Sequence, residues 1–135
     1  MIRTFAPGDL NRLDALWRTC FPDDPPRNAA RVAVPEKLRV DPGSILVAEA
    51  DGRILGSIMF GYDGHRGWLW GVAVAPSHRR QGLGGALIRA AEAALAKRGC
   101  TKVNLQIREG NAAVAAFYER LGYAVEPRIS MGKLL

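Results

Sequence analysis

"VAVAPSHRRQGLGGALIRAAEAAL", Val72–Leu95, is the stretch that decides the fold. It opens as a strand and crosses Pro76. From Leu83 it becomes a helix, with Leu83, Ala86, Leu87, Ala90, Ala91, Ala94 and Leu95 on one apolar stripe. Between strand and helix stand Arg79, Arg80, Gln81, Gly82, Gly84 and Gly85. The first N–H groups of a helix have no intrahelical partner, and the helix dipole places positive potential there. Glycine removes the Cβ atoms that would hold an anion away from those amides. The stretch therefore predicts a phosphate or pyrophosphate site, with Arg79 and Arg80 adding charge beside the amides.

Two phosphate-binding patterns are excluded by the letters themselves. A P-loop needs G-x-x-x-x-G-K-[ST], which the sequence lacks. A dinucleotide fingerprint needs Gly or Ala at position 87, where Leu stands, and an early strand with a ribose-binding acid.

Working outward, Met1–Ala6 reads as a short strand. Pro7-Gly8-Asp9 opens a helix with Leu10, Leu13, Leu16, Trp17 and Phe21 on one face. "FPDDPPRN" ends it, because Pro22, Pro25 and Pro26 cannot continue a helix. Asn28–Arg39 predicts a second helix. Asp51-Gly52 between apolar runs signals a hairpin, and "GYDGHRG" a second turn before a strand over Gly67–Ala75. Gly99 ends the long helix. Thr101–Ile107 alternates as a strand, Asn111–Leu121 is a helix closed by Gly122, and Tyr123–Val125 and Ile129–Leu135 read as short terminal strands. The order is βααβββαβαβ(β), an α/β (α+β) arrangement over residues 1–135 as a single domain.

The chain has 135 residues, with 48% hydrophobic and 24% charged, which suits a globular domain with a real core. No apolar run approaches the roughly 18–20 residues that span a bilayer, and no signal-peptide pattern follows Arg3, so a cytoplasmic location without membrane contact is expected. Cys20 and Cys100 have no metal-like spacing, His65 and His78 each stand alone, and no metal is expected. The net charge of +6 is scattered apart from His78-Arg79-Arg80, which favours one local anion site over a nucleic-acid face.

Arg79-x-x-Gly82-x-Gly84 fits the Q/R-x-x-G-x-G/A pattern, and it resembles the acetyl-CoA loop of the GNAT superfamily of N-acetyltransferases. "NAAVAAFYERLGY", Asn111–Tyr123, is similar to the family's second signature. The resemblance runs along essentially the whole chain and looks closest to the bacterial YpeA-like subgroup, through "LVAE", "GYDGHRG", "RGC" and "YERLGY". It implies a mixed, mostly antiparallel sheet splayed between two central strands, with helices on both faces. It implies acetyl-CoA as co-substrate, held by Val72, Ala73 and Val74 through backbone, by Arg79, Arg80, Gln81, Gly82, Leu83, Gly84 and Gly85 at the pyrophosphate, and by Asn111 and Tyr118 near the pantetheine. The activity implied is acetyl transfer to a primary amine of a small molecule or peptide by direct attack on the thioester, in a monomer or homodimer. A protein N-terminal or lysine acetyltransferase and a catalytically silent acetyl-CoA-binding module are the alternatives.

Such a transfer needs a donor for the developing oxyanion, and a backbone N–H on the splayed strand is suitable. Tyr118 is the expected acid for the departing thiolate. Where some relatives carry a Glu base, this chain has Gln106; the substitutes are Glu109, Asp63, His65, Glu49 through water, or water itself. Phe60, Tyr62, Trp68 and Trp70 are candidate walls of the acceptor pocket. In YpeA-like chains an R-P-W-N-D-P-like segment follows the first helix, and here "PPRNAA" replaces it, keeping Asn28 without the Trp and Asp.

Overall fold

Asp51 and Gly52 both have positive φ, 51° and 73°, as a two-residue type I′ hairpin requires. They join β2 (Ile45–Ala50) to β3 (Arg53–Tyr62), in a computed structural model that describes residues 1–135. The polar turn after Tyr62 closes with the Asp63 amide donating to the Arg66 carbonyl at 3.1 Å, and β4 (Gly67–Val74) completes the meander. β1 (Ile2–Thr4) pairs antiparallel with β2, and β5 (Val103–Asn104) runs parallel to β4. The sheet order is β1-β2-β3-β4-β5.

Helices cover both faces of this sheet. α1 (Leu10–Cys20) and α2 (Ala30–Val40) pack together, and α1 lies against β3 and β4. Leu13, Leu16 and Trp17 of α1 are buried, as their helical spacing predicts. α3 (Leu83–Lys97) covers the other face through Leu87, Ile88, Ala91 and Leu95, also buried. The alternation of β3 serves both layers. A Cβ at Gly56 would touch Leu83 and Leu87 of α3, whereas Ser57 meets Trp17 of α1. Burying each large aliphatic or aromatic side chain of this kind stabilises the fold by about 1.5–3 kcal/mol.

The chain forms two compact units, Met1–Leu105 and Gln106–Leu135. The second contains α4 (Ala112–Arg120), whose N-cap Asn111 accepts from the Val114 amide at 3.3 Å. Tyr118 stacks edge-on against Phe117 and Tyr123 there.

Three expectations are corrected. The second helix starts at Ala30, because Pro26–Asn28 forms its own 3-10 turn. The strand expected over Thr101–Ile107 is only Val103–Asn104: apolar alternation extends the chain, but the β4 ladder supplies partners no further than Trp68. The terminal strands over Tyr123–Val125 and Ile129–Leu135 do not form. Pro127 has no N–H for a ladder, and the Arg128 amide turns back to the Glu126 carbonyl at 2.8 Å. Val125, Ile129, Met131 and Leu134 are exposed, so their alternation marks no buried face. β5 is accordingly the sheet's edge.

Candidate active site

The middle of β4 does not follow a regular ladder. Met59 pairs with Trp70 and Ser57 with Ala73, so Gly71 and Val72 together stand opposite Ile58. This is a one-residue bulge, and Gly71 takes φ of 56° to make it. A Cβ at Gly71 would lie 2.8 Å from Cζ2 of Trp17, so only glycine fits above that indole. On its other side β4 pairs with β5 at Gly67 and Trp68 alone. The two strands part before the bulge, and Val72 belongs to neither ladder.

Beyond β4, Pro76–His78 makes a 3-10 turn and the loop runs into α3. Arg80 has φ of 63°, and Gly82, the N-cap, has φ of 81°. The helix's first return bond runs from the Ala86 amide to the Gly82 carbonyl at 3.0 Å. The amides of Leu83, Gly84 and Gly85 precede it and have no acceptor in their own helix. No side chain caps them. These donors, with the positive end of a 15-residue helix, suit a pyrophosphate. Arg80 and Gln81 are exposed beside them.

Arg79 is anchored. Its Nε donates to the Val74 carbonyl at 3.1 Å, and an Nη lies 3.8 Å from Cys20 Sγ, which itself contacts the Val74 carbonyl at 3.5 Å. The guanidinium thus ties the end of β4 to the loop and to the end of α1.

Asn111 and Tyr118 lie in the second unit. Asn111 is exposed and caps α4. Of the adjacent pair Phe117 and Tyr118, it is Tyr118 that is buried, at 7% exposure. That burial pushes its phenol from 10.0 up to about 12.

Several base and wall candidates have structural occupations. Glu49 accepts from Arg3 and Arg12, whose hydrogen bonds hold its carboxyl below the usual range. Asp63 accepts from the amides of Arg66 and His65 and from Trp68 Nε1, which lowers its pKa in the same way. Phe60 is core, with the Arg98 guanidinium over its ring. The Tyr62 hydroxyl lies 3.4 Å from the Gly64 carbonyl in the turn. Trp70 is 45% exposed beside the bulge, with Lys37 Nζ 5.2 Å from its ring centroid. Gln106 Nε2 donates to Ser130 Oγ at 2.6 Å.

Nothing in the sequence joins Gly71, Ser57 and Trp17 as a group. One signal was present: a glycine inside a strand run, Trp70-Gly71-Val72, marks a bulge.

A β4 edge that parts from its neighbour, followed by a glycine-started helix whose first amides are uncapped, gathers free backbone donors at one end of the sheet. Comparison places the fold. The profile of the family described as Acetyltransferase (GNAT) family matches residues 10–123. An acetyltransferase of Yersinia pestis (strain Pestoides F) is 42% identical over 134 residues, covering 99% of this chain and 94% of its own. AAC(6')-Iy, solved with the bisubstrate analogue CoA-S-monomethyl-acetylneamine, superposes with a TM-score of 0.81 at 22% identity, over 100% of this chain and 97% of that one. Ard1 from Thermoplasma volcanium gives a TM-score of 0.81 at 24% identity, over 93% and 83%. These two likenesses show the shared fold. The chain belongs to the GNAT family of acetyltransferases.

Proposed function

We propose that this chain moves the acetyl group of acetyl-CoA to a primary amine of a small molecule or peptide. The observation that carries the reading is the uncapped N-terminus of α3 behind the Gly82 turn, directly after a strand that parts from its neighbour. The amides of Leu83, Gly84 and Gly85, with Arg80 and Gln81 beside them, are the groups that would hold the CoA pyrophosphate. Val72, outside both ladders, offers the backbone polar groups for the pantetheine end. When bound, acetyl-CoA supplies an activated acetyl thioester.

The protein's own part is orientation and charge. The Val72 N–H donates toward negative charge developing on the carbonyl oxygen, a kind of contact typically worth about 10²–10³ in rate. Asn111 and Tyr118 serve the sulfur end, where the neutral Tyr118 phenol is the proton donor for the departing thiolate, in spite of the burial that raises its pKa to about 12. With Glu49 and Asp63 held by their partners, the proton of the attacking amine goes to water or to exposed Glu109 or His65.

CoA titrated against the melting temperature tests the binding half of the reading. Stabilisation that rises with CoA concentration, and is lost for the pantetheine arm alone, supports a pyrophosphate site. No stabilisation by CoA or acetyl-CoA refutes it.

A further inference from the structure

The bulge in β4 is held by two side chains that no sequence signature contains. Trp17 Nε1 on α1 donates to Ser57 Oγ on β3 at 2.8 Å. The Ser57 hydroxyl donates in turn to the Gly71 carbonyl at 2.8 Å. Ser57 is fully buried and Trp17 is 5% exposed, so no water replaces either bond. The hydroxyl's single proton is committed to Gly71, because the indole N–H can only donate and so takes one of its lone pairs. The Trp17 ring also packs beneath Gly71 at the distance that excludes a Cβ.

This matters for the next atom along the chain. In a planar trans peptide the carbonyl and the following N–H point in opposite directions. Fixing the Gly71 carbonyl toward Ser57 therefore fixes the Val72 N–H away from Ser57. It does so at the one point of β4 where neither neighbouring ladder sets the backbone.

We infer that Ser57 and Trp17 are positioning residues, a buried relay that sets the Gly71–Val72 peptide plane and so aims the Val72 amide. The inference rests on the reading of that amide as the donor to the thioester carbonyl. Neither side chain touches the acetyl donor; each acts through the backbone of β4.

Two readouts test it. The first needs no ligand: the residual dipolar coupling of the Val72 amide in wild type, Ser57→Ala and Trp17→Phe. Ser57→Ala is expected to change that coupling while the amides of α3 keep theirs. Trp17→Phe keeps a ring under Gly71 but loses the N–H, and is expected to shift the coupling less. An unchanged Val72 coupling in Ser57→Ala overturns the relay. The second is release of free thiol from saturating acetyl-CoA with water as acceptor. Ser57→Ala is expected to slow it by about ten- to a hundredfold with the affinity for CoA unchanged, since small misplacements of a positioned group have effects of this size. Ser57→Cys, which restores a weak donor, recovers part of the rate. If Ser57→Ala loses CoA affinity and rate together, the relay is only structural and the inference fails. If the coupling moves as expected but the rate does not, the relay stands and the donor role of Val72 falls. Should Ser57→Ala not fold, Trp17→Phe carries both readouts, and no change in either overturns the relay.

Discussion

Arg3 grips both oxygens of Asp9, Nη1 to Oδ2 at 2.7 Å and Nη2 to Oδ1 at 2.9 Å. Asp9 is buried at the start of α1, where its Oδ2 also accepts from the Ala6 amide, and Arg12 completes the cluster. The Arg3 hydrogen bonds pull the Asp9 carboxyl from 3.8 down to about 2, against the opposing effect of burial. A carboxyl depressed in the folded state stabilises it above the unfolded pKa, and the contribution is lost as pH falls through the folded value. The melting temperature is expected to be flat near neutrality and to fall between about pH 4 and 2.

Asp9→Asn removes the carboxylate charge and one of the two oxygens that accept from Arg3 and Arg12, and leaves Glu49 as their only shared carboxylate. It is expected to lower stability by about 1–3 kcal/mol and to flatten the acid limb of the same curve. Urea unfolding at pH 7 and pH 4 checks both effects. A variant as stable as wild type at pH 7 would remove the cluster from the account of how β1, β2 and α1 are joined.

Gly82 and Gly71 separate two uses of glycine. At Gly82 a Cβ meets nothing within 4 Å, and only the φ of 81° is at issue. Gly82→Ala is expected to cost about 1–2 kcal/mol in backbone conformation and to weaken CoA binding. Gly82→Asn, which tolerates that region, should recover part of both. At Gly71 the Cβ has no room and φ is also positive. Gly71→Ala is expected to be the more damaging to stability and to turnover. Equal effects of the two alanines would contradict the packing of Trp17 beneath the bulge.

Tyr118→Phe removes the hydroxyl and keeps the ring against Phe117 and Tyr123. Turnover is expected to fall by about 10²-fold or more, with CoA affinity retained. Because burial raises the phenol to about 12, its ionisation should not limit the wild-type rate up to pH 10. The folded state favours the neutral phenol, so its contribution to stability declines as pH rises above the ordinary value of 10.0. Normal turnover in Tyr118→Phe would assign the proton to another group.

The sequence was most informative where local chemistry is self-sufficient. Asp51-Gly52 specified its hairpin, the stripe from Leu83 to Leu95 specified a helix and the Leu87, Ala91 and Leu95 part of its buried face while omitting the fully buried Ile88, and Gly82 marked the helix start. It misled where a strand depends on a partner rather than on its own alternation, as at Leu105–Ile107 and Ile129–Leu135. It was silent on contacts made between distant residues. Trp17 and Ser57 are 40 positions apart, and each reads on its own as an ordinary core residue. Arg79 reads as a ligand for an anion, whereas its bond to the Val74 carbonyl depends on how β4 ends.

The central claim is transfer of acetyl from CoA to an amine. Free-thiol release from acetyl-CoA, followed across a panel of small amines and peptides with the acceptor's mass read in parallel, tests it most directly. The expected result is amine-dependent release matched by a gain of one acetyl group on that amine, strongly reduced in Gly71→Ala and Tyr118→Phe. Saturable binding of acetyl-CoA with no acetylated product from any amine would contradict it.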